Sequence, residues 1–443
     1  MNAHFDVLVI GTGSAGTTIA KRCAKAGLDT AIVDCRPYGG TCAIRGCDPK
    51  KILVDGARYM DMNDRLTNLL SKKLSIGWKD LMAFKRSFTD PYPEKREKSY
   101  SDAGITMFKG VAVFDSKNSV AIGEESYSAD KIAITTGAKP MDLNIEGEHH
   151  LIHSDDFLEL EGLPEEIIFV GGGFISFEFA HIASRFGSKV KILNDDDRPL
   201  KMYDKDMVSM LINYSKRLGI DVILNSPAES IEEKNGRFIL GAGGTEFSSK
   251  LVVHGAGRVA NIDQLGLENA NIEGGKDGVA VNEYMQSITN ENIYCAGDAS
   301  AGSPLLTPVC VEEAKIAARN IIEGNTIKRK FEIIPYTLYT IPPMASVGIS
   351  EEMAEEKGLD YRKKSSDTSG WYNLKKVGYK GTGFKVLIDN GSNRILGAHL
   401  ISPDAENIIN IFSMAMYASF TVDEVKDMIL TYPSITSDIK YMI

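Results

Sequence analysis

The chain has 443 residues, of which 43% are hydrophobic and 25% charged, an ordinary composition for a folded protein. Domains typically span roughly 100–200 residues, so we expect two to four of them. A net charge of −10 without a lysine- and arginine-rich block argues against nucleic acid or an anionic membrane as the main partner. No apolar run reaches the roughly 18–20 residues that span a bilayer. The N-terminal apolar stretch at 5–10 is too short for a signal peptide, so we expect a cytoplasmic protein.

The chain opens with a strand at 5–10, a glycine turn and a helix at 17–26. The turn is a GxGxxG motif formed by Gly11, Gly13 and Gly16. In such a motif the first glycine permits a tight turn, the second lets the backbone approach a pyrophosphate, and the third allows close helix–strand packing. A strand at 30–34 ends in Asp34, where a carboxylate would meet a ribose hydroxyl. These features predict a dinucleotide-binding fold.

Two cysteines, Cys42 and Cys47, follow this unit closely. Four intervening residues are about one helical turn, so the side chains can be bridged if the segment opens a helix. A helix N-terminus would also lower the thiol pKa and favour the reactive thiolate. We interpret the pair as redox-active, with a structural disulfide or a metal site as alternatives that the predicted compartment and the lack of neighbouring ligands disfavour. The remaining cysteines are predicted to be small core residues: Cys23, Cys35, Cys295 and Cys310.

A second strand, glycine turn, helix and strand lie in the middle of the chain, with the strands at 167–170 and 189–193 and the helix at 177–187. The turn carries Gly171, Gly173 and, in place of the third glycine, Ser176. Asn194 stands where an acid would mark NAD, and three acids follow at 195–197. These acids would repel a 2′-phosphate, which favours NADH over NADPH. The alternative is that they form a solvated turn.

The motif Gly-Gly-Thr-Cys-x₄-Cys after a GxGxxG turn resembles the disulfide-reductase flavoenzymes, which include dihydrolipoamide dehydrogenase, glutathione reductase and mercuric reductase. Further stretches that resemble landmarks of this family lie at 135–138, 257–261, 292–298, 345–348 and 394–399. The resemblance implies an α/β protein with two Rossmann-like dinucleotide-binding domains and a C-terminal α+β dimerisation domain. The expected domains are FAD-binding at 1–150 and 271–330, NAD(P)-binding at 151–270, and dimerisation at 331–443.

The resemblance also implies FAD and NAD(P)H as cofactors. Hydride would pass from NAD(P)H to the flavin and then to the Cys42–Cys47 disulfide. Cys47 would form the thiolate contact with the flavin, and Cys42 would attack an external disulfide or bind a metal ion. Lys51 and Glu178 match an ion pair beside the flavin ring, and Phe174 matches the aromatic that gates the nicotinamide. The other residues implied to bind cofactor are Gly11, Gly13, Gly16, Asp34, Gly40, Thr41, Gly110, Thr136, Gly137, Asp298 and Thr307 for FAD, and Gly171, Gly173, Asn194 and Gly257 for NAD(P).

The chain departs from the family near its C-terminus. The disulfide reductases carry His-Pro-Thr-x-x-Glu there, and the imidazole acts as acid–base for the dithiol from the partner subunit. Here Tyr432 replaces the histidine and Ser437 the glutamate, with Asp438 one place later. A phenol is a poor general base at neutral pH, and losing a positioned acid–base typically costs about 10²–10⁴-fold in rate. Mercuric reductases also have a tyrosine, but they add a C-terminal cysteine pair that this sequence lacks.

The leading hypothesis is a homodimeric dithiol–disulfide oxidoreductase of the dihydrolipoamide dehydrogenase type, with the active site across the subunit interface. One alternative is a metal-ion reductase of the mercuric type. Another is a reductase of quinones or similar small acceptors, in which Tyr432 packs at the interface. A third is a non-enzymatic flavoprotein acting as a binding subunit, which the intact Cys42, Cys47 and Asp298 argue against.

Overall fold

The computed structural model describes residues 3–73 and 75–443. The strands in chain order are β1 (His4–Ile10), β2 (Thr30–Asp34), β3 (Thr106–Lys109), β4 (Ala112–Ser116), β5 (Ser119–Ile122), β6 (Glu125–Ile134), β7 (Ala138–Pro140), β8 (Glu166–Val170), β9 (Lys189–Leu193), β10 (Ile220–Ile223), β11 (Ala228–Lys234), β12 (Arg237–Ala242), β13 (Thr245–Ser249), β14 (Leu251–His254), β15 (Arg258–Ala260), β16 (Gly274–Gly275), β17 (Gly278–Val279), β18 (Ile293–Cys295), β19 (Tyr336–Leu338), β20 (Met344–Gly348), β21 (Tyr361–Asp367), β22 (Gly383–Asp389) and β23 (Ile395–Ile401).

The helices in chain order are α1 (Ser14–Lys25), α2 (Gly40–Arg45), α3 (Cys47–Arg65), α4 (Trp78–Thr89), α5 (Tyr92–Ser101), α6 (Ser154–Phe157), α7 (Phe174–Arg185), α8 (Lys205–Lys216), α9 (Thr307–Glu323), α10 (Glu351–Glu356), α11 (Tyr372–Lys375), α12 (Ala405–Tyr417), α13 (Val422–Asp427) and α14 (Ile439–Met442). Short 3₁₀ turns lie at Glu148–His150, Leu267–Ala270, Gly297–Ala299 and Thr436–Asp438. Of the helices in residues 3–73 and 75–443, none is both long and apolar enough to cross a membrane.

The chain forms two compact units. The first comprises Met1–Lys50, Ala83–Met141 and Gly257–Lys330, and the second comprises Lys51–Met82, Asp142–Ala256 and Phe331–Ile443. These units group segments that are distant in sequence, because each unit builds its sheets from more than one stretch of chain. The domain boundaries expected from the sequence stay predictions.

The first unit contains a sheet of order β3-β2-β1-β6-β5-β4, with β18 beside β6. Strands β1, β2, β3, β6 and β18 pair in parallel, and β4 and β5 extend the sheet by antiparallel pairing. Side chains alternate along β1, so that Leu8 and Ile10 join one buried cluster while Val7 and Val9 join another. A parallel sheet buried on both faces is typical of dinucleotide-binding folds. The first predicted Rossmann-like fold is thereby confirmed.

The second unit contains a parallel sheet of order β10-β9-β8-β14 and an antiparallel sheet of order β11-β12-β13. The parallel sheet confirms the second Rossmann-like fold. Helix α7 begins at Phe174, three residues before the predicted start at 177. The reason is that Gly173 already adopts an extended conformation as the N-cap, so the helix begins directly after the glycines.

The C-terminal part of the second unit is an antiparallel sheet of order β19-β20-β23-β22-β21 with α12 packed on β20 and β23. This agrees with the predicted α+β domain. One face of α12 is apolar, and its Ile408, Ile409 and Phe412 are buried. Its opposite face is exposed, and Tyr417 is 83% exposed.

Candidate active site

The first glycine turn brings backbone segments into direct contact. Gly11 adopts φ +105°, and a Cβ there would lie 2.4 Å from the Thr135 carbonyl oxygen. A Cβ on Gly16 would lie 1.9 Å from the Gly11 oxygen, and one on Gly40 would lie 2.3 Å from the Gly13 Cα. Side chains are therefore excluded from the space between the turn and the start of α2. An exposed glycine backbone at a helix start is suited to a pyrophosphate, so these residues fit FAD.

Asp34 is held by the same turn. Its Oδ2 accepts hydrogen bonds from the Thr12 amide at 2.8 Å and from Thr12 Oγ1 at 2.5 Å. The Gly39 amide in turn donates to Thr12 Oγ1 at 3.1 Å. Thr12 therefore links the glycine turn, the end of β2 and the segment before Cys42. Thr12 was not predicted as a site residue, although its place between Gly11 and Gly13 puts it inside the glycine motif.

Further residues predicted to bind FAD lie in the first unit. Thr136 Oγ1 is buried and has no hydrogen-bond partner within the described residues, which suits a site that a cofactor completes. Gly137 adopts φ +70°, and its oxygen accepts from the Asn261 amide at 2.9 Å. Gly110 adopts φ +154°, and its amide donates to the Asp34 oxygen at 3.0 Å. Thr41 lies next to Gly40 in the first turn of α2.

Asp298 lies in the 3₁₀ turn that follows β18. Burial raises the pKa of this carboxyl above its ordinary value, and the nearby Arg258 guanidinium opposes that shift. The amide of the preceding residue, Gly297, donates to Glu313 Oε2 at 2.9 Å. The turn is therefore anchored by α9. Glu313 was not singled out from the sequence, although it lies four residues from both Val309 and Ala317 on the buried stripe of that helix.

The two proposed redox cysteines meet at the start of α9. Cys42 lies in α2 and Cys47 is the first residue of α3. Thr307 Oγ1 donates to Cys42 Sγ at 3.3 Å and lies 3.5 Å from Cys47 Sγ. Both cysteines are free thiols here. Thr307, which the family resemblance places next to the flavin ring, therefore contacts both cysteines.

The pKa of the Cys42 thiol is raised well above its ordinary value, contrary to the lowering expected from a helix N-terminus. A hydrogen bond with Cys47 is the largest cause and burial the next, while the Thr307 bond acts in the opposite direction. The physical reason is that a negative charge on the half-buried Cys42 is unfavourable beside the Cys47 thiol. Ionisation of Cys42 is therefore less favourable than that of an isolated, solvated thiol.

Lys51 and Glu178, which match an ion pair of the family, both lie in the second unit, but in the described part of the chain they are connected through Tyr339 and not by a direct ion pair. Within the described residues the ion pairs of Lys51 are with Asp55, at 3.3 Å, and Glu406, at 3.6 Å. Its ammonium also lies 4.8 Å from the centre of the Tyr339 ring. The Tyr339 amide donates to Glu178 Oε1 at 2.8 Å. Glu178 is buried rather than a surface acid of its helix. Tyr339 and Glu406 carried no sequence signal, because their partners are far away in the chain.

The second glycine turn resembles the first in geometry. Gly171 adopts φ +98°, and a Cβ there would lie 2.3 Å from the Ala256 Cα. Ser176, at the position of the third glycine, is buried because Gly255 opposite leaves room for it: a Cβ on Gly255 would lie 2.1 Å from Ser176 Oγ. Phe174 is exposed at the first turn of α7. This exposed position is compatible with its predicted place beside the nicotinamide.

Asn194 binds the second turn in the way that Asp34 binds the first. Its Oδ1 accepts from the Gly172 amide at 3.0 Å, and its Nδ2 donates to Asp196 Oδ1 at 2.8 Å. The bond from Lys201 is the main cause that lowers the pKa of Asp196 to about 2. Because Lys201 neutralises this acid, the expected repulsion of a 2′-phosphate is weaker than the sequence suggested. Gly257, also predicted to bind NAD(P), belongs to the first unit and adopts φ +129°.

The C-terminal segment offers a tyrosine and a buried acid where the family has histidine and glutamate. Tyr432 is 78% exposed. Asp438 is buried, and its Oδ2 accepts from Asn373 Nδ2 at 3.0 Å. Ser437 Oγ donates to the Ser434 oxygen at 2.7 Å. Asp438 and Ser437 are thus each hydrogen-bonded to another residue of the second unit.

The prediction that four cysteines are core residues is correct for Cys23 and Cys295 and wrong for Cys35. Cys35 is exposed because β2 ends at Asp34 and the chain leaves the sheet there. Cys310 is half-buried, and burial raises the pKa of its thiol to about 12. Within residues 3–73 and 75–443, no group of three or more His, Cys, Asp or Glu side chains is arranged to hold a metal ion.

Comparison with known proteins agrees with this geometry. The family model described as pyridine nucleotide-disulphide oxidoreductase matches residues 5–314, and the model of its dimerisation domain matches residues 334–443. The glutathione reductase of Burkholderia cepacia is 30% identical over 445 residues, which cover 98% of this chain and 97% of that protein. The mercuric reductase of Lysinibacillus sphaericus is 27% identical over 449 residues, covering 99% of this chain and 82% of that protein.

Solved structures extend the similarity to the whole fold. The Cu(II) complex of the HOCl-induced flavoprotein disulfide reductase RclA from Escherichia coli has a TM-score of 0.90 and 26% sequence identity, covering 98% of this chain and 99% of that chain. The family uses FAD and NAD(P)H, and its members act on sulfur groups. The chain belongs to the pyridine nucleotide-disulphide oxidoreductases, a family of FAD- and NAD(P)H-dependent enzymes.

Proposed function

We propose that the Cys42–Cys47 pair passes electrons from NAD(P)H to a metal ion that binds thiolates, such as Hg(II) or Cu(II). When bound, FAD supplies the two-electron carrier between the nicotinamide and the cysteines. The choice of acceptor rests on the C-terminal segment 432–443, which contains no histidine. Its buried acid, Asp438, accepts a hydrogen bond from Asn373. The positioned acid–base of the disulfide reductases therefore has no replacement in this segment.

The missing acid–base affects disulfides more than metal ions. Thiolate, rather than thiol, attacks a disulfide, and the thiolate released must then be protonated. Cys42 holds its proton tightly because Cys47 and burial raise its pKa. A soft metal ion displaces protons from thiols as it binds them, so it has less need of a positioned base. The exposed phenol of Tyr432 is a poor general base and supports the same choice.

Two relatives support a metal acceptor. One is named a mercuric reductase, and another was solved as a Cu(II) complex. A disulfide acceptor is the second candidate, since a glutathione reductase is 30% identical over nearly the whole chain. In that case water or another group would have to supply the proton that the family takes from histidine.

We also propose that the enzyme is a homodimer. The match to the dimerisation domain and the exposed apolar side chains of Met414, Tyr417 and Ile429 support this proposal. Exposed apolar surface of this kind is commonly covered by a partner. The cytoplasmic location stays a prediction from the sequence.

Steady-state oxidation of NADH and NADPH by the purified holoenzyme tests the acceptor. We expect brisk turnover with Hg(II) or Cu(II) and slow turnover with lipoamide, glutathione disulfide and a quinone. Cys42→Ala and Cys47→Ala should lose the metal-dependent rate, whereas Cys35→Ala, which changes an exposed thiol outside the pair, should keep it. Brisk turnover of lipoamide or glutathione disulfide by the unaltered enzyme would favour the second candidate instead. Turnover with quinone alone would favour the hypothesis that the enzyme reduces quinones or similar small acceptors.

Restoring the family residues provides a reciprocal test. The double variant Tyr432→His/Ser437→Glu should gain disulfide turnover by up to about 10²–10⁴-fold, because it reintroduces an acid–base and its orienting carboxylate. The single variant Ser437→Glu is the matched control and should gain little. If the double variant shows no gain while retaining FAD, the missing histidine is not what limits disulfide reduction.

A further inference from the structure

Glu313 is a fully buried acid in the middle of α9, and its side chain is 0% exposed. We propose that it is a positioning residue for FAD: it fixes the Gly297–Ala299 turn so that Asp298 faces the cofactor. This inference rests on the proposed role of Asp298 in binding FAD. It adds a residue outside the glycine motifs to the machinery that holds the flavin.

The carboxylate of Glu313 binds three donors. Oε2 accepts from the Gly297 amide at 2.9 Å and from Ser303 Oγ at 2.7 Å. Oε1 accepts from Arg329 Nη1 at 3.1 Å. A buried carboxylate is costly unless hydrogen bonds and an opposite charge compensate it, and here both are present. The three contacts therefore hold the side chain of Glu313 in one orientation.

The bond to the Gly297 amide acts on the residue next to Asp298. Strand β18 ends at Cys295, and the chain then turns through Gly297 at φ +75°. On the other side of Asp298, the Ser300 amide donates to the Gly297 oxygen at 2.8 Å. The turn is thus fixed at the amide and at the carbonyl of Gly297. With the backbone held at both points, the position from which the Asp298 side chain projects is fixed by the protein itself.

Electrostatics link the two acids as well. Burial is the main cause that raises the pKa of Asp298, and the charge of Glu313 raises it further. The same charge acts on Cys310, whose thiol lies against Gly297: a Cβ on that glycine would be 3.0 Å from Cys310 Sγ. Glu313 therefore influences both the geometry and the local charge of the turn. An apolar residue of equal size would fill the space but provide neither effect.

Titration of the apoprotein with FAD tests the proposal. Glu313→Met keeps the approximate volume but removes the acceptor of the Gly297 amide, and leaving a buried donor unsatisfied is costly. If that cost falls on the bound turn, the FAD dissociation constant should rise by about tenfold or more. Ser303→Ala is the matched control: it removes another donor to the same oxygen and leaves the Gly297 bond in place, so the dissociation constant should change by less than about twofold.

A second readout separates positioning from simple stabilisation. In Glu313→Gln the charge is removed while the shape is kept, so the midpoint potential of bound FAD should become more positive, and Ser303→Ala should leave it unchanged. A residue with a structural role alone would lower the melting temperature of the apoprotein without moving this potential. Glu313→Gln also serves if Glu313→Met does not fold.

The proposal is overturned if folded Glu313→Gln and Glu313→Met bind FAD with unaltered affinity and potential, or if Ser303→Ala loses FAD equally. Asp298→Asn distinguishes this failure from that of the site itself. Weakened FAD binding in Asp298→Asn with no effect of Glu313 would reject the positioning role alone. Unaltered FAD binding in Asp298→Asn would reject the assigned role of Asp298 and the inference with it. Neither experiment depends on the external acceptor.

Discussion

The two glycine turns follow one local plan but differ in the polar residue that ends the second strand. In the first turn the carboxylate of Asp34 accepts two hydrogen bonds from Thr12. In the second the amide of Asn194 accepts one from Gly172 and donates to Asp196. Each polar side chain binds its own turn. The position that sequence motifs assign to a ribose is therefore also a structural support of the turn.

The difference lies in charge. Asp34 presents a carboxylate whose Oδ1 accepts from the Arg36 amide at 3.0 Å. Asn194 is neutral, and the acid beside it, Asp196, is paired with Lys201. A charged acceptor makes stronger hydrogen bonds than a neutral one. The backbone conformation of the first turn should accordingly be held more tightly than that of the second. A tightly held turn suits a cofactor that stays bound.

The largest expected effect comes from the first glycine of each turn. Gly171→Ala and Gly11→Ala would place Cβ within 2.3 Å and 2.4 Å of backbone atoms that cannot move away. We expect each to lower the free energy of unfolding by more than about 3 kcal/mol or to prevent folding, because the strain of a positive φ adds to the clash. Gly173→Ala is the control: its φ is extended and its nearest neighbour lies at 3.1 Å. Denaturant unfolding measures all three, and equal costs would contradict this account.

The polar residues should show a smaller and unequal effect. Asp34→Ala leaves the buried Thr12 amide without its charged acceptor and should cost about 2–3 kcal/mol of stability. Asn194→Ala removes a neutral acceptor from the Gly172 amide and should cost about 1–2 kcal/mol. Comparing urea unfolding of the two variants tests the order. A greater loss in Asn194→Ala would mean that charge does not distinguish the turns.

Nicotinamide preference provides a third comparison. We propose that NADH is the better donor, and that Lys201→Met strengthens this preference by several-fold because it leaves the charge of Asp196 uncompensated beside a 2′-phosphate. The measurement is the ratio of kcat/KM for NADH to that for NADPH. Asp196→Asn should shift the ratio in the opposite direction. A strong preference of the unaltered enzyme for NADPH would contradict the proposal.

The smallest effect concerns acid stability. The pKa of Asp196 lies at about 2, below its ordinary value of 3.8, because of the bonds from Lys201 and from the Arg198 amide. A lowered folded-state pKa stabilises the protein above the ordinary pKa, and that contribution is lost as the pH falls from about 4 to about 2. In this window unfolding of Asp196→Asn should depend less steeply on pH than unfolding of the unaltered chain. Parallel pH profiles would show that the pair contributes nothing to stability.

The local sequence pattern was sufficient to predict the strands around both glycine turns. Strands β2 and β9 have the predicted ends, and β1 and β8 each begin one residue before theirs. Glycine, strand and helix signals act over a few neighbouring residues, so they can be read from the sequence. Helices α1 and α7 were each placed three residues late, because every position of the glycine motif was counted as part of the turn. The resemblance to the family extended this reading to the order of domains and to the cysteine pair.

The sequence by itself determined the two dinucleotide folds, the closely spaced cysteine pair and the absence of a histidine from segment 432–443, because each is written in contiguous residues. Tertiary structure alone decided which groups meet: Glu313 with the Gly297 amide, and Tyr339 with Lys51 and Glu178. It also decided that the pKa of Cys42 is raised rather than lowered. Partners in these contacts come from distant parts of the chain, and pKa values depend on burial and neighbouring charge. Neither can be obtained from local sequence, since both arise only when separate segments pack together.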